Sequence, residues 1–226
     1  MKKQLVLVSA LALMAGSINS NAASFVISNV VSGPGDTLYA DADNNLMSSG
    51  TVAIGYFNPD IDVSTISGAT DKISALYAVL GSFVTVTSQA PGSLSVTLGG
   101  SFAGYAEQAE PTPIGTITTG NALLNRSIYS ILTNASSIAS ATASSQFAFL
   151  LIGTINDDNP DEYLYTSNPV NAPIIGSIGS YTGNAAGFGT VEDTYVTLKM
   201  ATSIPEPSAA LLGAFGVLGL LRRRRI

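Results

Sequence analysis

Asp41, Asp43 and Asn45 alternate with other residues in a chain whose charged residues make up only 11% of the total. Side-chain oxygens at the first, third and fifth positions of a turn can converge on one hard cation, and a helix–loop–helix calcium site begins with this spacing. The remainder of that loop is missing. Its sixth position requires glycine and is Leu46, and its twelfth requires a bidentate acid and is Val52. The spacing therefore leaves two readings, a looser calcium-binding turn between strands or a solvated turn shaped by Asp and Asn. A second cluster, Asp157-Asp158-Asn159-Pro160-Asp161-Glu162, admits the same pair of readings, with Asp157 and Asp161 as candidate ligands and Pro160 ending the strand pairing.

Two carboxylates can also hydrolyse glycosides, one protonating the leaving oxygen while the other attacks or activates water. Glu107 with Glu110 and Asp161 with Glu162 are the pairs on offer, both in turn-like segments, and the chain has no Trp to build a sugar platform. Tyr56, Tyr105, Tyr129, Tyr163 and Tyr165 either line a sugar-binding face or pack within the fold. With no His and no Cys anywhere, the usual zinc sites, Ser-His-Asp triads and thiolate nucleophiles are excluded. No glycine loop ending in Lys-Ser or Lys-Thr is present to cradle phosphates. No catalytic residues are assigned and no cofactor is expected beyond possible calcium; the reading is of a non-enzyme.

The elements that must carry these residues show a period of two. Val52, Ile54 and Tyr56 alternate with smaller or polar neighbours, as do Leu94, Val96 and Leu98, and Val196, Leu198 and Met200. Over Gln146 to Ile155 the run Phe147-Ala148-Phe149-Leu150-Leu151-Ile152 is apolar on both faces, as in a central strand covered from each side. Further strands are expected at Phe25 to Val31, Phe83 to Thr87, Ile114 to Thr118, Arg126 to Thr133 and Ile174 to Tyr181. One helix interrupts them: Asp71 is placed to cap it, Ile73, Leu76, Tyr77 and Leu80 follow helical spacing, and Gly81 ends it. Turn clusters such as Ser32-Gly33-Pro34-Gly35 and Ala90-Pro91-Gly92 separate the segments at short intervals. The pattern predicts an all-β, antiparallel, β-sandwich-like single domain with one short helix.

Both ends of the chain read differently. Lys2 and Lys3 precede an apolar run from Leu5 to Ala15, and Ser20-Asn21-Ala22-Ala23 offers small residues to signal peptidase, so 1–23 reads as a signal peptide. At the other end Pro205-Glu206-Pro207 leads into an apolar stretch from Ser208 to Leu221 and then Arg222, Arg223, Arg224 and Arg225. As a helix this stretch is about 21 Å long, short of the hydrocarbon core of about 30 Å, and snorkelling arginine stems help it to span. The four guanidiniums hold their end in the cytoplasm. Gly213, Gly216 and Gly219 leave a stripe on which another membrane helix can pack closely.

Those three elements in that order resemble the PEP-CTERM sorting signal of Gram-negative bacteria, with Ile204 where valine is often found. The resemblance covers 204–226 only. It implies that an exosortase, an integral-membrane cysteine peptidase, recognises the tail during export and cleaves near Pro205, Glu206 and Pro207. It also implies transient residence in the inner membrane, followed by the cell surface or extracellular space, and association with exopolysaccharide.

The working domain is then 24–203, and its charge differs from that of the whole chain. Only Lys72, Arg126 and Lys199 remain basic against fourteen acids, a net charge of −11 where the full sequence carries −6. Such a surface repels phosphate backbones, so no nucleic-acid partner is expected, while divalent cations would be attracted. The function expected is a surface or extracellular-matrix component with a structural or adhesive role. A carbohydrate-binding module, with or without the help of calcium, is the alternative, and a carboxylate glycoside hydrolase stands behind it.

Overall fold

The computed structural model describes residues 22–27, 37–91, 103–106, 112–116, 121–155, 163–165, 172–183 and 193–203. At its centre is a four-stranded antiparallel sheet, in the order β4 (Phe83–Gln89), β3 (Thr51–Phe57), β6 (Ser127–Thr133), β7 (Phe147–Thr154). Alternation along each strand sends successive side chains to opposite faces, and here both faces are apolar. Val52, Ile54, Ile128, Leu132, Ala148, Leu150 and Ile152 enter one core with Phe25, Tyr39, Leu198 and Met200. Phe57, Tyr129, Ile131, Phe147 and Phe149 enter a second, closed by helical residues Ile66, Ile73, Leu76 and Leu80.

The first core is roofed by two smaller sheets. In one, β1 (Ala22–Val26) lies between β5 (Thr112–Thr116) and β8 (Tyr163–Tyr165). In the other, β10 (Asp193–Lys199) lies between β2 (Thr37–Ala40) and β9 (Ser177–Gly183). The layers are sandwich-like and mostly β, but the expected all-antiparallel pairing is not met: β1 runs parallel to β8, and β10 parallel to β2. These pairs join strands far apart in the chain, and local alternation carries no information about such partners.

The second core is roofed by helices. α1 (Val63–Ser67) is a five-residue helix that the expected single helix leaves out, being too short to show a 3.6-residue period. Its N-terminus is fixed by Asp62, whose carboxylate accepts from the Ser64 amide at 2.9 Å and the Ser64 hydroxyl at 2.7 Å. α2 (Lys72–Leu80) is the helix expected, with the expected ends: Asp71 Oδ1 accepts from the Ile73 and Ser74 amides at 3.1 and 3.2 Å, and Gly81 is the C-cap. Ile73, Leu76 and Leu80 are buried as their spacing requires, whereas Tyr77 is 42% exposed.

β7 feeds both cores as its apolar run predicts, although Leu151 is 39% exposed, yet it stands at the end of the sheet and not in its middle. Its outer edge is closed by two isolated bridges. Phe147 and Ala201 exchange hydrogen bonds at 3.1 and 2.8 Å, while the Phe149 amide donates to the Ile175 carbonyl at 3.0 Å. The second bridge explains why β9 starts at Ser177 and not at Ile174. Ile174 and Ile175 are engaged by Phe149, and Gly176, with φ of +97°, then turns the chain into β9. A Cβ at Gly176 would strike the Lys199 carbonyl.

The stretch around Ile128 is the strand β6, as expected, and β2 is a strand that the sequence does not announce. All four β2 residues are buried, so no polar alternation marks it. The strand expected at Leu94 to Leu98 lies outside the described residues, as do 1–21 and the sorting signal. Among the described residues no helix is long and apolar enough to cross a membrane.

Candidate functional site

The helical face of the central sheet carries a groove between the C-terminal half of α2 and the 3₁₀ turn Ile138–Ser140. Its floor is set by a register slip between β3 and β4. Phe57 faces Phe83, Gly55 faces Thr85, and Ala53 faces Ser88, so an extra residue in β4 brings Ser88 onto the face already occupied by Phe83 and Thr85. Gly55 and Ala53 leave that floor low. The Phe83 ring lies over Gly55, where a Cβ would come within 2.6 Å of Phe83 Cζ and would meet the Val84 carbonyl.

One wall is helical, with Tyr77, Ala78, Leu80 and Gly81; the other is Ile138, Ala139 and Ala141. The hollow between them encloses about 580 Å³. A second hollow of about 330 Å³ continues past Thr85, Ile138 and Ala139, which line both, toward Thr51, Ser88, Gln89, Ser136 and Ser137. The hydroxyl side is ordered by its own bonds. Ser137 caps the 3₁₀ turn, its Oγ accepting from the Ser140 amide at 3.1 Å while Ser140 Oγ accepts from the Ser137 amide at 3.0 Å. Among the described residues no Asp, Glu, Lys or Arg lines either hollow.

The Asp41 turn is a separate feature. Asp41 Oδ1 accepts from the amides of Asp43 and Asn45 at 2.9 and 2.8 Å, and Oδ2 from the Asn45 side-chain amide at 3.0 Å. Of the three candidate ligands, then, the structure joins Asp41 and Asn45 through hydrogen bonds and brings in Asp43 by its backbone. Asn44, at φ +70°, anchors the turn to the outer sheet: its side chain donates to the Ser180 carbonyl at 2.9 Å and accepts from the Thr197 hydroxyl at 3.1 Å. Asn44 is absent from the one-three-five spacing, and its tolerance of the left-handed region is the signal that could have singled it out. Among the described residues no group of three Asp, Glu, His or Cys side chains gathers as a metal set. Asp157, Asp161, Glu107 and Glu110 lie outside the described residues.

Burial raises the Asp41 carboxyl, but the Asn45 and Asp43 hydrogen bonds, with the charge of Lys199, outweigh it and hold the group below its ordinary value of 3.8. Asp71 is lowered chiefly by the Ser74 hydroxyl, and Asp62 by that of Ser64. Each of these groups binds its proton less readily when folded. The stability they contribute is in place above the ordinary carboxylate value and is lost as pH falls through the lowered folded values. Urea melts are expected to show an acid limb beginning below about pH 5, with a shallower slope in Asp71→Asn.

Arg126 ties the groove's sheet to the loop before α1. Its Nη1 donates to the Phe57 carbonyl at 2.9 Å and to Asp60 at 3.1 Å, its Nε donates to the Ala122 carbonyl at 2.7 Å, and its guanidinium lies 5.0 Å from the centre of the Tyr56 ring. A lysine cannot reproduce that fork. Arg126→Lys is therefore expected to cost about 1–3 kcal/mol in chemical denaturation. Asp60→Asn removes only a pair whose carboxylate is 68% exposed and should cost under about 1 kcal/mol. Of the other tyrosines weighed as a sugar face, Tyr105 and Tyr129 are buried, and Tyr163 and Tyr165 lie in β8.

No protein-family model, curated protein or solved structure matches the chain. Among the described residues the exposed aromatic is Tyr77, whose spacing places it on the helix's apolar stripe. The groove itself depends on a β-bulge and a distant 3₁₀ turn meeting, and neither has a sequence period.

Proposed function

We propose that the chain is an exported, non-enzymatic surface or extracellular-matrix protein, delivered by its signal peptide and processed by an exosortase at Pro205-Glu206-Pro207. The observation that carries this reading is the order of three elements in 204–226: a Pro-flanked glutamate, a short apolar stretch with three spaced glycines, and four consecutive arginines. The basic and apolar start of the chain supports it, as does a mostly β domain between the two ends. The prolines on either side of Glu206 keep its backbone extended and unable to join a helix, which presents the carboxylate to an enzyme at the membrane surface. In this reading the domain, and not the tail, remains outside the cell, in a structural or adhesive role beside exopolysaccharide.

The test is the mass and location of the protein in producing cells with and without the peptidase. Loss of 1–23 and of the tail, with the domain at the surface or in the medium, is the expected result in the first case. Without the peptidase, a tail-bearing species should stay in the inner membrane. A protein that keeps both ends and remains in the cytoplasm defeats the proposal.

A further inference from the structure

We propose that the groove between α2 and the 3₁₀ turn binds a segment of uncharged polysaccharide. This deepens the surface-protein reading, on which its biological setting rests, by giving the domain a ligand and a place to hold it. The inference starts from the combination of linings. A pyranose presents an apolar face of C–H groups and a rim of hydroxyls, so its receptor needs an aromatic or aliphatic surface beside neutral donors and acceptors. Tyr77 and Phe83 supply the first in the larger hollow, and Thr85, Ser88, Ser136 and Ser137 supply the second. Each hollow falls within the range of about 300–1,000 Å³ typical of small-ligand sites.

Charge selects among possible occupants. The working domain carries −11, which opposes an anionic polymer, while among the described residues neither hollow offers a carboxylate to a cationic one. Shape selects for a chain over a single sugar. From Phe83 to Ser88 the strand runs about 17 Å, and both hollows open along it, with Thr85 common to the two. Tyr77 is already turned outward, 42% exposed on a helix whose Ile73, Leu76 and Leu80 are buried, so stacking a ring on it requires no opening of the core.

The experiment is calorimetric titration of the full-length chain in detergent with three uncharged hexasaccharides, cellohexaose, maltohexaose and mannohexaose, and with a hexagalacturonate as the anionic control. At least one neutral hexamer is expected to bind, with little or no binding of the anion. Tyr77→Ala should weaken that binding at least tenfold, and Ala139→Phe, which fills the groove from an exposed position, should abolish it. Both variants should keep the parent's melting temperature, so lost binding is separable from lost folding. No neutral binding up to about 10 mM, a fit weaker than about 2.7 kcal/mol, overturns the proposal. So does binding that both variants leave intact, or a preference for the anion. If the chain instead self-associates and Ala139→Phe dissolves the dimer, the groove is an interface between copies and the proposal is wrong. None of these outcomes bears on export, which is read from cells: a chain that binds sugar but stays in the cytoplasm fails the earlier reading alone.

Discussion

Phe57→Ala is expected to remove about 3–5 kcal/mol of stability, the range for deleting a fully packed aromatic ring from a core. Phe57 is 1% exposed and is the ring on which three others meet edge-on: Phe83 at 5.2 Å, Tyr129 at 5.5 Å and Phe149 at 6.0 Å between centroids. Such pairs add about 0.5–1.5 kcal/mol each beyond burial, so the cost belongs at the upper part of the range. Domains have about 5–15 kcal/mol in all, and the loss is then a large share of the total. The expected fall in melting temperature is about 6–20 °C for a chain of this size. Val84→Ala, on a side chain 38% exposed, should change stability by no more than about 0.5 kcal/mol. A Phe57→Ala protein that melts within about 1 kcal/mol of the parent would show that the ring cluster is not what holds β3, β4 and β7 to the helices.

The second large effect is on processing, and it should leave the domain untouched. Changing Pro205 and Glu206 together to alanine is expected to accumulate full-length, membrane-bound precursor, since one of the two flanking prolines and the carboxylate are both lost. The fold gives the reason that stability should not follow. The last described pairing of the chain is Ala201 with Phe147, held at 2.8 and 3.1 Å, and the motif begins four positions beyond it. Thr202, Ser203 and Ile204 alone connect the two, at most about 11 Å of extended chain. The same melting temperature for the purified variant and parent, with an altered mass and fraction in cells, is the pair of readouts that counts. Normal processing of the variant, or a destabilised domain, would falsify the assignment of the motif.

What the sequence could disclose was local. Val52 and Ile54, Phe147 to Ile152, and the Asp71–Gly81 helix are legible because burial on one or two faces imposes a period on neighbouring residues. β2 is not, because all four of its residues are buried, and neither is α1, which is shorter than two helical turns. The parallel partners of β1 and β10 are set by the packing of whole layers. Among the candidate site residues, the Asp41 spacing was read correctly as a turn, but its hydrogen bonds show Asp41 serving the turn's own amides. The groove was out of reach for a different reason. Its exposed ring, Tyr77, occupies a position that helical spacing assigns to the core, and its floor depends on a one-residue slip between strands.

The parallel strand pair at the end of the chain bears on when the protein can fold. β10 is the last strand among the described residues, and it lies between β9 and β2, placing Lys199 beside Ala40. On the proposed route of export, until Asp193–Lys199 has emerged, β2 lacks that neighbour, the Leu198 and Met200 side chains are missing from the first core, and the Ala201 clasp on Phe147 is open. Contacts this distant close late, because the loop between the partners must be ordered before their pairing compensates. Under that proposal, a chain threaded N-terminus first would stay unlocked, and so able to pass through a narrow channel, until nearly all of it is outside. Among the described residues the strand that completes the layers is also the one nearest the tail, so a tail held in the membrane, as proposed, would delay completion to the final step of transit.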